Sequence, residues 1–266
     1  MVLGLTLIAA LASWTAIDRS QFGLALVKHD GTTQCTQNPL PAGEYGTVEV
    51  PDGQSCTINQ NDVIDHDVNV EEGATLNDVG ANIGHSLNAE KNTTIIVTGS
   101  GGYTAGSPVS APGSSGYGAG NAVIGSDLNA SSGPTLVQVS NLTAGHDIRV
   151  KSLNGSGASF VKDSCTGENI DIQNGSNPAG SIEVSGNNGV QCGATIGVKH
   201  RLVVKHNQQI VTVSDNTIGD GLAVQGNTPG GATVTDNHAG GSAKCDGNSP
   251  FVGSGNTAGK KPNTCG

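Results

Sequence analysis

The chain has 266 residues, a formal net charge of −10, 13% charged residues and 3% aromatic residues. This acidity argues against a nucleic-acid or anionic-membrane partner, because both carry negative charge themselves. The 41 glycines would suit either a disordered low-complexity chain or a turn-rich repeat protein, and periodicity decides between the two.

Residues 1–16 are apolar and too short to span a bilayer comfortably. They are typical of the hydrophobic region of a secretory signal peptide, with Ala10-Leu11-Ala12 as a small-x-small cleavage site. The positively charged start of such a signal is missing, and a strand or helix of the fold is the alternative. We expect a secreted, extracellular or cell-surface protein with no membrane span in the mature chain, and an N-terminal cap segment over residues 17–47.

A repeat of about twenty residues runs through the rest of the chain. Its copies contain short alternations such as Ile148-Arg149-Val150, bounded by Gly and Asn, which are typical of half-buried strands. One such strand cannot bury its apolar side alone, but stacked copies can. The repeat predicts an all-β fold, a right-handed parallel β-helix (β-solenoid) of about ten coils over residues 48–263, with a C-terminal end at 264–266. The predicted coil starts are Val48, Val68, Leu87, Pro108, Leu128, Ile148, Ile170, Leu202, Leu222 and Ala243.

Four stretches carry a resemblance to a known group: VPDGQSC at 50–56, the coil start at 68–73, NTIGDGLAVQG at 216–226, and residues 237–248. With these stretches, the chain resembles secreted bacterial right-handed parallel β-helix proteins that have Gly-Asn-Val-type coils and terminal cysteines. The resemblance covers roughly residues 35–266. Most proteins of that group have no established activity, so the resemblance implies the fold and secretion but no function.

Six cysteines in an exported chain suggest three disulfides. Residues one coil apart have a Cα separation that suits a disulfide, ~4.4–6.8 Å. The first and last pairs would close the two ends of the solenoid, where unpaired strand edges invite aggregation. Zinc is the competing use of cysteines, but the sequence has no C-x2-C pair. The coil spacing predicts the pairs Cys35 with Cys56 and Cys245 with Cys265. Cys165 and Cys192 are 27 residues apart, but their interval includes the one oversized coil, whose loop is expected one rung from Cys165, so they form the third predicted pair.

Asparagines recur at two turns of the repeat, where stacked amides can hydrogen-bond along the solenoid axis. The alternative is that Asn is simply common in turns. The first column follows the second strand of a coil and holds Asn141, Asn187, Asn216 and Asn237, with Asp163 in the same place; the second follows the first strand and holds Asn207, Asn227 and Asn248.

A third column lies two residues before each coil start and holds four of the seven histidines. Neighbouring rungs lie ~4.8 Å apart, which would let imidazole and carboxylate groups share a divalent metal or exchange protons. The alternative is a solvated turn column, and apart from this divalent cation we predict no cofactor. The metal candidates are His66, His85, His146, Glu168 and His200.

Basic and acidic residues also meet on one predicted face, as they do in polysaccharide lyases. There a cation neutralises a uronate carboxylate and a basic side chain removes the adjacent proton. The chain offers few aromatic side chains for stacking sugars, and few long loops apart from an insertion after Asn187 and the stretch 99–120. The catalytic candidates are Lys205, Arg201, Arg149, Asp171 and Glu168.

Rigidity, secretion, disulfide caps and the lack of convergent reactive groups favour a structural or binding solenoid without catalytic activity. Its partner would be a component of the cell envelope, or an extracellular glycan or protein, and we expect a monomer. A polysaccharide lyase-like enzyme acting on an acidic glycan is the first alternative. A metal-binding surface protein is the second.

Overall fold

The structure is a computed structural model that describes residues 28–100, the backbone of 104–109 and 117–119, and residues 121–266. The predicted signal segment 1–16 and residues 17–27 of the predicted cap lie outside this part of the chain. The described residues form strands and turns, with the 3-10 turn Val190–Cys192 as the one helical element among them. Over the same residues, no helix has the length and apolar character needed to cross a membrane.

The strands stack into three parallel faces, and the chain winds as a β-solenoid of about ten turns with a period of ~20 residues, as the repeat predicts. Face 1 consists of Lys28–Gln34, Glu44–Val50, Val68–Val70, Leu87–Ala89, Leu128–Ala130, Ile148–Lys151, Ile170–Gln173, Leu202–Lys205, Leu222–Gln225 and Ala243–Lys244. Face 2 consists of Ser55–Asn59, Thr75–Val79, Thr94–Thr98, Leu136–Ser140, Ala158–Lys162, Ser181–Ser185, Ile210–Ser214, Ala232–Thr235 and Phe251–Ser254. Face 3 consists of Val63–Ile64, Asn82–Ile83, Ala122–Ile124, Leu142–Ala144, Cys165–Thr166, Thr217–Ile218, His238–Ala239 and Thr257–Ala258.

The coil starts of face 1 lie directly above one another. Val68 pairs with Leu87, Leu87 with Leu128, and Leu128 with Ile148. The column continues through Ile170, Leu202, Leu222 and Ala243, and all of these side chains are buried. Each coil therefore shields the apolar side of its neighbours from water, which is the source of stability in a stacked repeat.

The predicted coil start at Pro108 is wrong. Leu87 pairs directly with Leu128, while Pro108 lies in the strand Thr104–Val109, which pairs antiparallel with Tyr117–Ala119. A coil starting there would place Pro108 in the core position that Leu87 and Leu128 fill, and proline cannot donate the backbone hydrogen bond of a central strand. The two strands form a separate antiparallel pair, which lies along the chain between a strand of face 2 and a strand of face 3.

Short segments tied by disulfides close both ends of the solenoid. At the first end, Cys35 bonds Cys56 with a Cα separation of 5.9 Å, and Leu40 N–H donates to the carbonyl of Thr57 on the edge strand. At the other end, Cys245 bonds Cys265, which is fully buried over the last coil. These pairs are the ones that the coil spacing predicts, and each segment covers part of one end of the solenoid, although Lys28–Gln34 and Phe251–Ser254 are still the outermost described strands of their faces.

Buried asparagines form a ladder at the corner between faces 2 and 3. Asn187 Nδ2 donates to Asn216 Oδ1 at 2.8 Å, and Asn216 Nδ2 donates to Asn237 Oδ1 at 2.8 Å. Asn237 Nδ2 continues the series to Asn256 Oδ1 at 2.9 Å. Because each Nδ2 also donates to a backbone carbonyl, the ladder satisfies polar groups that are shut off from water.

The same arrangement recurs at the corner between faces 1 and 2. There Asn207 Nδ2 donates to Asn227 Oδ1 at 3.0 Å, and Asn227 Nδ2 donates to Asn248 Oδ1 at 2.8 Å. The backbone N–H groups of Asn207 and Asn227 donate to the same two oxygens. Asparagine side chains thus replace backbone partners at both of these corners.

The placement of Asn141 in the first ladder is wrong by one residue, and so is that of Asp163. Both adopt positive φ, at 51° and 48°, in the position that precedes the ladder. The ladder positions of their coils are Leu142 and Ser164, and Leu142 N–H donates to Ser164 Oγ at 3.2 Å. The left-handed position and the ladder position both favour Asn and Asp, which explains why the sequence pattern confuses them.

Candidate functional site

The histidine column is a row of exposed turn residues at the corner between faces 3 and 1. The backbone links its rungs: His85 N–H donates to the carbonyl of His66 at 3.0 Å, and His200 N–H donates to that of Glu168 at 2.9 Å. The candidates His66, His85, His146, Glu168 and His200 all lie in this column and are exposed to solvent. The structure therefore brings them into one row.

The side chains of this column contact different partners. The rings of His66 and His85 meet edge to face with centroids 5.2 Å apart. His146 Nδ1 lies 3.4 Å from Ser126 Oγ, and His200 Nδ1 lies 3.0 Å from Asp220 Oδ2. Within the described residues, no group of three or more His, Cys, Asp or Glu side chains is placed to hold a metal ion. The column offers pairs of ligands, whereas a tetrahedral zinc site needs three or four.

Three catalytic candidates, Arg149, Asp171 and Arg201, line one shallow depression of about 230 Å³ on face 1. Arg149 contacts the Asp147 carboxylate, and its Nη1 lies 3.7 Å from Asp127 Oδ2. The Lys151 ammonium lies 3.8 Å from Asp171 Oδ2. Arg149 and Asp171 are therefore each paired with an opposite charge of the chain, whereas no ion pair involves the guanidinium of Arg201 within the described residues.

The other two catalytic candidates lie outside this depression. Lys205 lies on face 1 in register with Gln173, toward the next corner. Glu168 belongs to the histidine column and is exposed. The five candidates consequently do not converge on a single point, as a proton-abstracting site would require.

Sequence reasoning missed Asp147 and Asn169, which organise this region. Asp147 Oδ1 accepts hydrogen bonds from Asn169 N–H at 2.7 Å and from Asn169 Nδ2 at 2.8 Å. Asn169 Oδ1 accepts from Arg201 N–H at 3.1 Å, and Asp127 Oδ1 accepts from Asp147 N–H at 3.0 Å. The sequence does contain a pattern that could have identified them, because the position directly before a coil start holds Asp, Asn or Ser in most coils. This position forms a ladder at the third corner.

A buried carboxyl group, Asp78, occupies a core position on face 2. It pairs in register with Ile58 on one side and Val97 on the other, and its Oδ1 accepts from Ala81 N–H at 2.8 Å. Burial raises the pKa of Asp78 to about 7, and the nearby charge of Asp62 adds to the shift. Burial also raises the pKa of Asp62, although hydrogen bonds from two backbone N–H groups oppose the shift.

Comparisons with protein-family models, with curated proteins and with solved structures find no match for this chain. The part of the sequence resemblance that concerns the fold is confirmed, since the strands stack as a parallel β-solenoid of about ten turns. Function must therefore be argued from the residues themselves.

Proposed function

We propose that the chain is a structural and binding module of the cell exterior or cell surface, without catalytic activity. The observation that carries this proposal is the mutual pairing of charged side chains on face 1. Arg149 contacts the carboxylates of Asp127 and Asp147, and Lys151 lies beside Asp171. The contacts of Arg149 with Asp127 and of Lys151 with Asp171 join neighbouring coils, and the contact with Asp147 lies within one coil, whereas a lyase needs its base and cation directed at the substrate.

The disulfides support a location outside the reducing cytosol. Three pairs tie the described part of the chain, one at each end and one at the insertion after Asn187. Such bonds form and persist in oxidising compartments. The closed ends oppose the addition of further coils, which supports a monomer. The partner of such a solenoid would be a component of the cell envelope, an extracellular glycan or an extracellular protein.

The location is tested by fractionating cells of the source organism and labelling the protein with a thiol-alkylating reagent before and after reduction. We expect the chain in the medium or envelope fraction, with all six cysteines labelled only after reduction. Recovery from the cytosol with thiols that react before reduction would contradict the proposal.

The depression on face 1 favours one alternative, a polysaccharide lyase-like enzyme acting on an acidic glycan. Its rim carries Arg149 and Arg201. A guanidinium can pair bidentately with the carboxylate of a uronate. Affinity electrophoresis in gels containing polygalacturonate or alginate tests this, with Arg201→Gln compared with Lys260→Gln, a control at an exposed turn of the last coil. The alternative requires retardation that Arg201→Gln abolishes and Lys260→Gln preserves.

A further inference from the structure

The insertion at 188–196 is fastened onto face 3. Cys192 bonds Cys165 with a Cα separation of 6.4 Å, and Asn121 Nδ2 donates to the carbonyl of Gln191 at 3.0 Å. Thr143 and Cys165 are only 2% and 6% exposed, whereas His238 in the same outward column of face 3 is exposed. The loop therefore covers the outer surface of this face where the two meet.

A cavity of about 280 Å³ lies between the insertion and face 3. Its walls are largely apolar and include the Cys165–Cys192 disulfide together with Ala144, Ala194 and Ile196. Ile196 is 40% exposed and is one of six large apolar side chains that are exposed among the described residues. The volume lies just below the range of pockets for drug-sized ligands, so the cavity suits a smaller molecule.

Lys199 gives the cavity one charged group. It is the single ionisable side chain among the residues that line the cavity, since both cysteines are bonded in the disulfide. Within the described residues, no carboxylate lies within ion-pair distance of Lys199. The hydroxyl-bearing Thr195 also lines the cavity. An apolar wall with one cation at its side is complementary to a molecule with an apolar body and one negative group.

We propose that this cavity binds a small amphipathic monocarboxylate. The apolar part lies against the disulfide and Ile196, and the carboxylate pairs with the Lys199 ammonium. The site is distinct from the depression on face 1. Its test is therefore independent of whether the chain is a structural module or an enzyme.

The probe is octanoate, with octanol as its uncharged counterpart, and saturation-transfer NMR on the disulfide-bonded chain measures binding. Lys199→Gln removes the cation, and Ala194→Phe fills the cavity from an exposed loop position. Lys260→Gln removes an exposed lysine in a distant turn and is the matched control. Thermal melting by circular dichroism checks that each variant is folded.

We expect saturable octanoate binding, weakened about tenfold by Lys199→Gln, because a charge-assisted hydrogen bond contributes about that factor. Octanol binding should not respond to Lys199→Gln, Ala194→Phe should abolish binding of both molecules, and Lys260→Gln should behave as wild type. Absence of octanoate binding to the wild-type chain would overturn the proposal. Equal weakening by Lys199→Gln and Lys260→Gln, or binding that survives in a folded Ala194→Phe chain, would overturn it as well.

Discussion

Asn216 Oδ1 accepts two hydrogen bonds from Asn187, one from its backbone N–H at 3.3 Å and one from its Nδ2 at 2.8 Å. Asn216 Nδ2 in turn donates to the carbonyl of Val184 at 2.9 Å. All three residues are buried, so one side chain satisfies three polar groups of the preceding coil that water cannot reach. The ladder therefore supplies hydrogen-bond partners to the buried polar groups of the corner, just as the stacking of coils removes the apolar residues of the core from water.

The substitution Asn216→Ala should therefore be strongly destabilising. It leaves two Asn187 donors and the Val184 carbonyl unpaired in a buried corner, and each such group costs about 1–3 kcal/mol. We expect the free energy of unfolding to fall by about 3 kcal/mol or more, measured by urea denaturation. The control Gln208→Ala, at an exposed turn residue, should change it by less than about 0.5 kcal/mol. Equal losses in the two variants would show that the ladder is not a structural element.

Asp147 and Arg149 should respond very differently to substitution, although they contact one another. Asp147→Ala removes the buried acceptor for two hydrogen bonds from Asn169, whose partly buried donors then lack this partner, and we expect a loss of about 2 kcal/mol. Arg149 is 39% exposed, so Arg149→Gln should cost less than about 1 kcal/mol. Thermal unfolding of the two variants measures the difference. A cost for Arg149→Gln equal to that for Asp147→Ala would contradict the assignment of Asp147 as the organising residue.

Stability should fall as pH rises from about 4 to about 7, because of Asp78. Its pKa is about 7 in the folded chain and near 3.8 when unfolded, so between these values the folded chain holds a proton that the unfolded chain releases. One such proton lowers the free energy of unfolding by up to about 1.4 kcal/mol for each unit that the pH rises. Above the pKa of the folded chain this dependence disappears, because both states have then lost the proton. Asp78→Asn should remove this contribution and keep the oxygen that accepts from Ala81 N–H.

Urea unfolding at several pH values measures the slope, with Asp52→Asn, at an exposed carboxyl group, as the control. Asp62, whose pKa burial also raises, contributes a slope of the same sign and should remain after Asp78→Asn. A pH dependence that is unchanged in Asp78→Asn would contradict the assignment.

Removal of the C-terminal disulfide should take away the segment that covers part of the last coil. Cys265 is fully buried, and its carbonyl accepts from Asn256 Nδ2 at 2.8 Å. We expect the double substitution Cys245→Ser with Cys265→Ser to expose the last strand, Phe251–Ser254, to hydrogen exchange and to promote association of chains.

Hydrogen exchange and light scattering after size exclusion measure the two effects. The matched control is the double substitution Cys165→Ser with Cys192→Ser, which frees the side insertion but leaves both ends closed. It should increase exchange at the insertion and leave the chain monomeric. Association of both variants to the same extent would contradict the role of the end caps.

The stacking of coils could be predicted because it depends on inward apolar residues, such as Ile148 and Ile170, that recur at one spacing. The two end cysteine pairs followed from the same spacing, and the Cys165–Cys192 pair followed from the position of the one oversized coil. The hairpin around Pro108 could not be recognised in this way, because its antiparallel pairing is local and a Pro-x-Ser segment imitates a weak coil start. A periodic pattern shows which residues face the core, but it does not show where a segment is inserted between two coils.

The candidate site was predicted less completely than the fold. The register of Arg149 and Asp171 on face 1 followed from the coil starts. The role of Asp147 did not, because its side chain is directed at the backbone N–H of the next coil and not at an apolar neighbour. Asn141 was placed one residue out because two adjacent turn positions both favour Asn and Asp. The periodicity of apolar residues does not predict which polar side chain at a corner accepts a hydrogen bond from the next coil.

The central claim is that face 1 is a structural surface, on which Arg149 and Lys151 pair with carboxylates of the chain itself, and that it does not process a glycan. Turnover tests it most directly: the disulfide-bonded chain is incubated with polygalacturonate, alginate and other polyuronates, with and without Ca²⁺, and ultraviolet absorbance follows the unsaturated product. We predict no rise above the protein-free blank for the wild-type chain, Arg201→Gln or Lys205→Gln. A rise with the wild-type chain that either substitution abolishes would contradict the account.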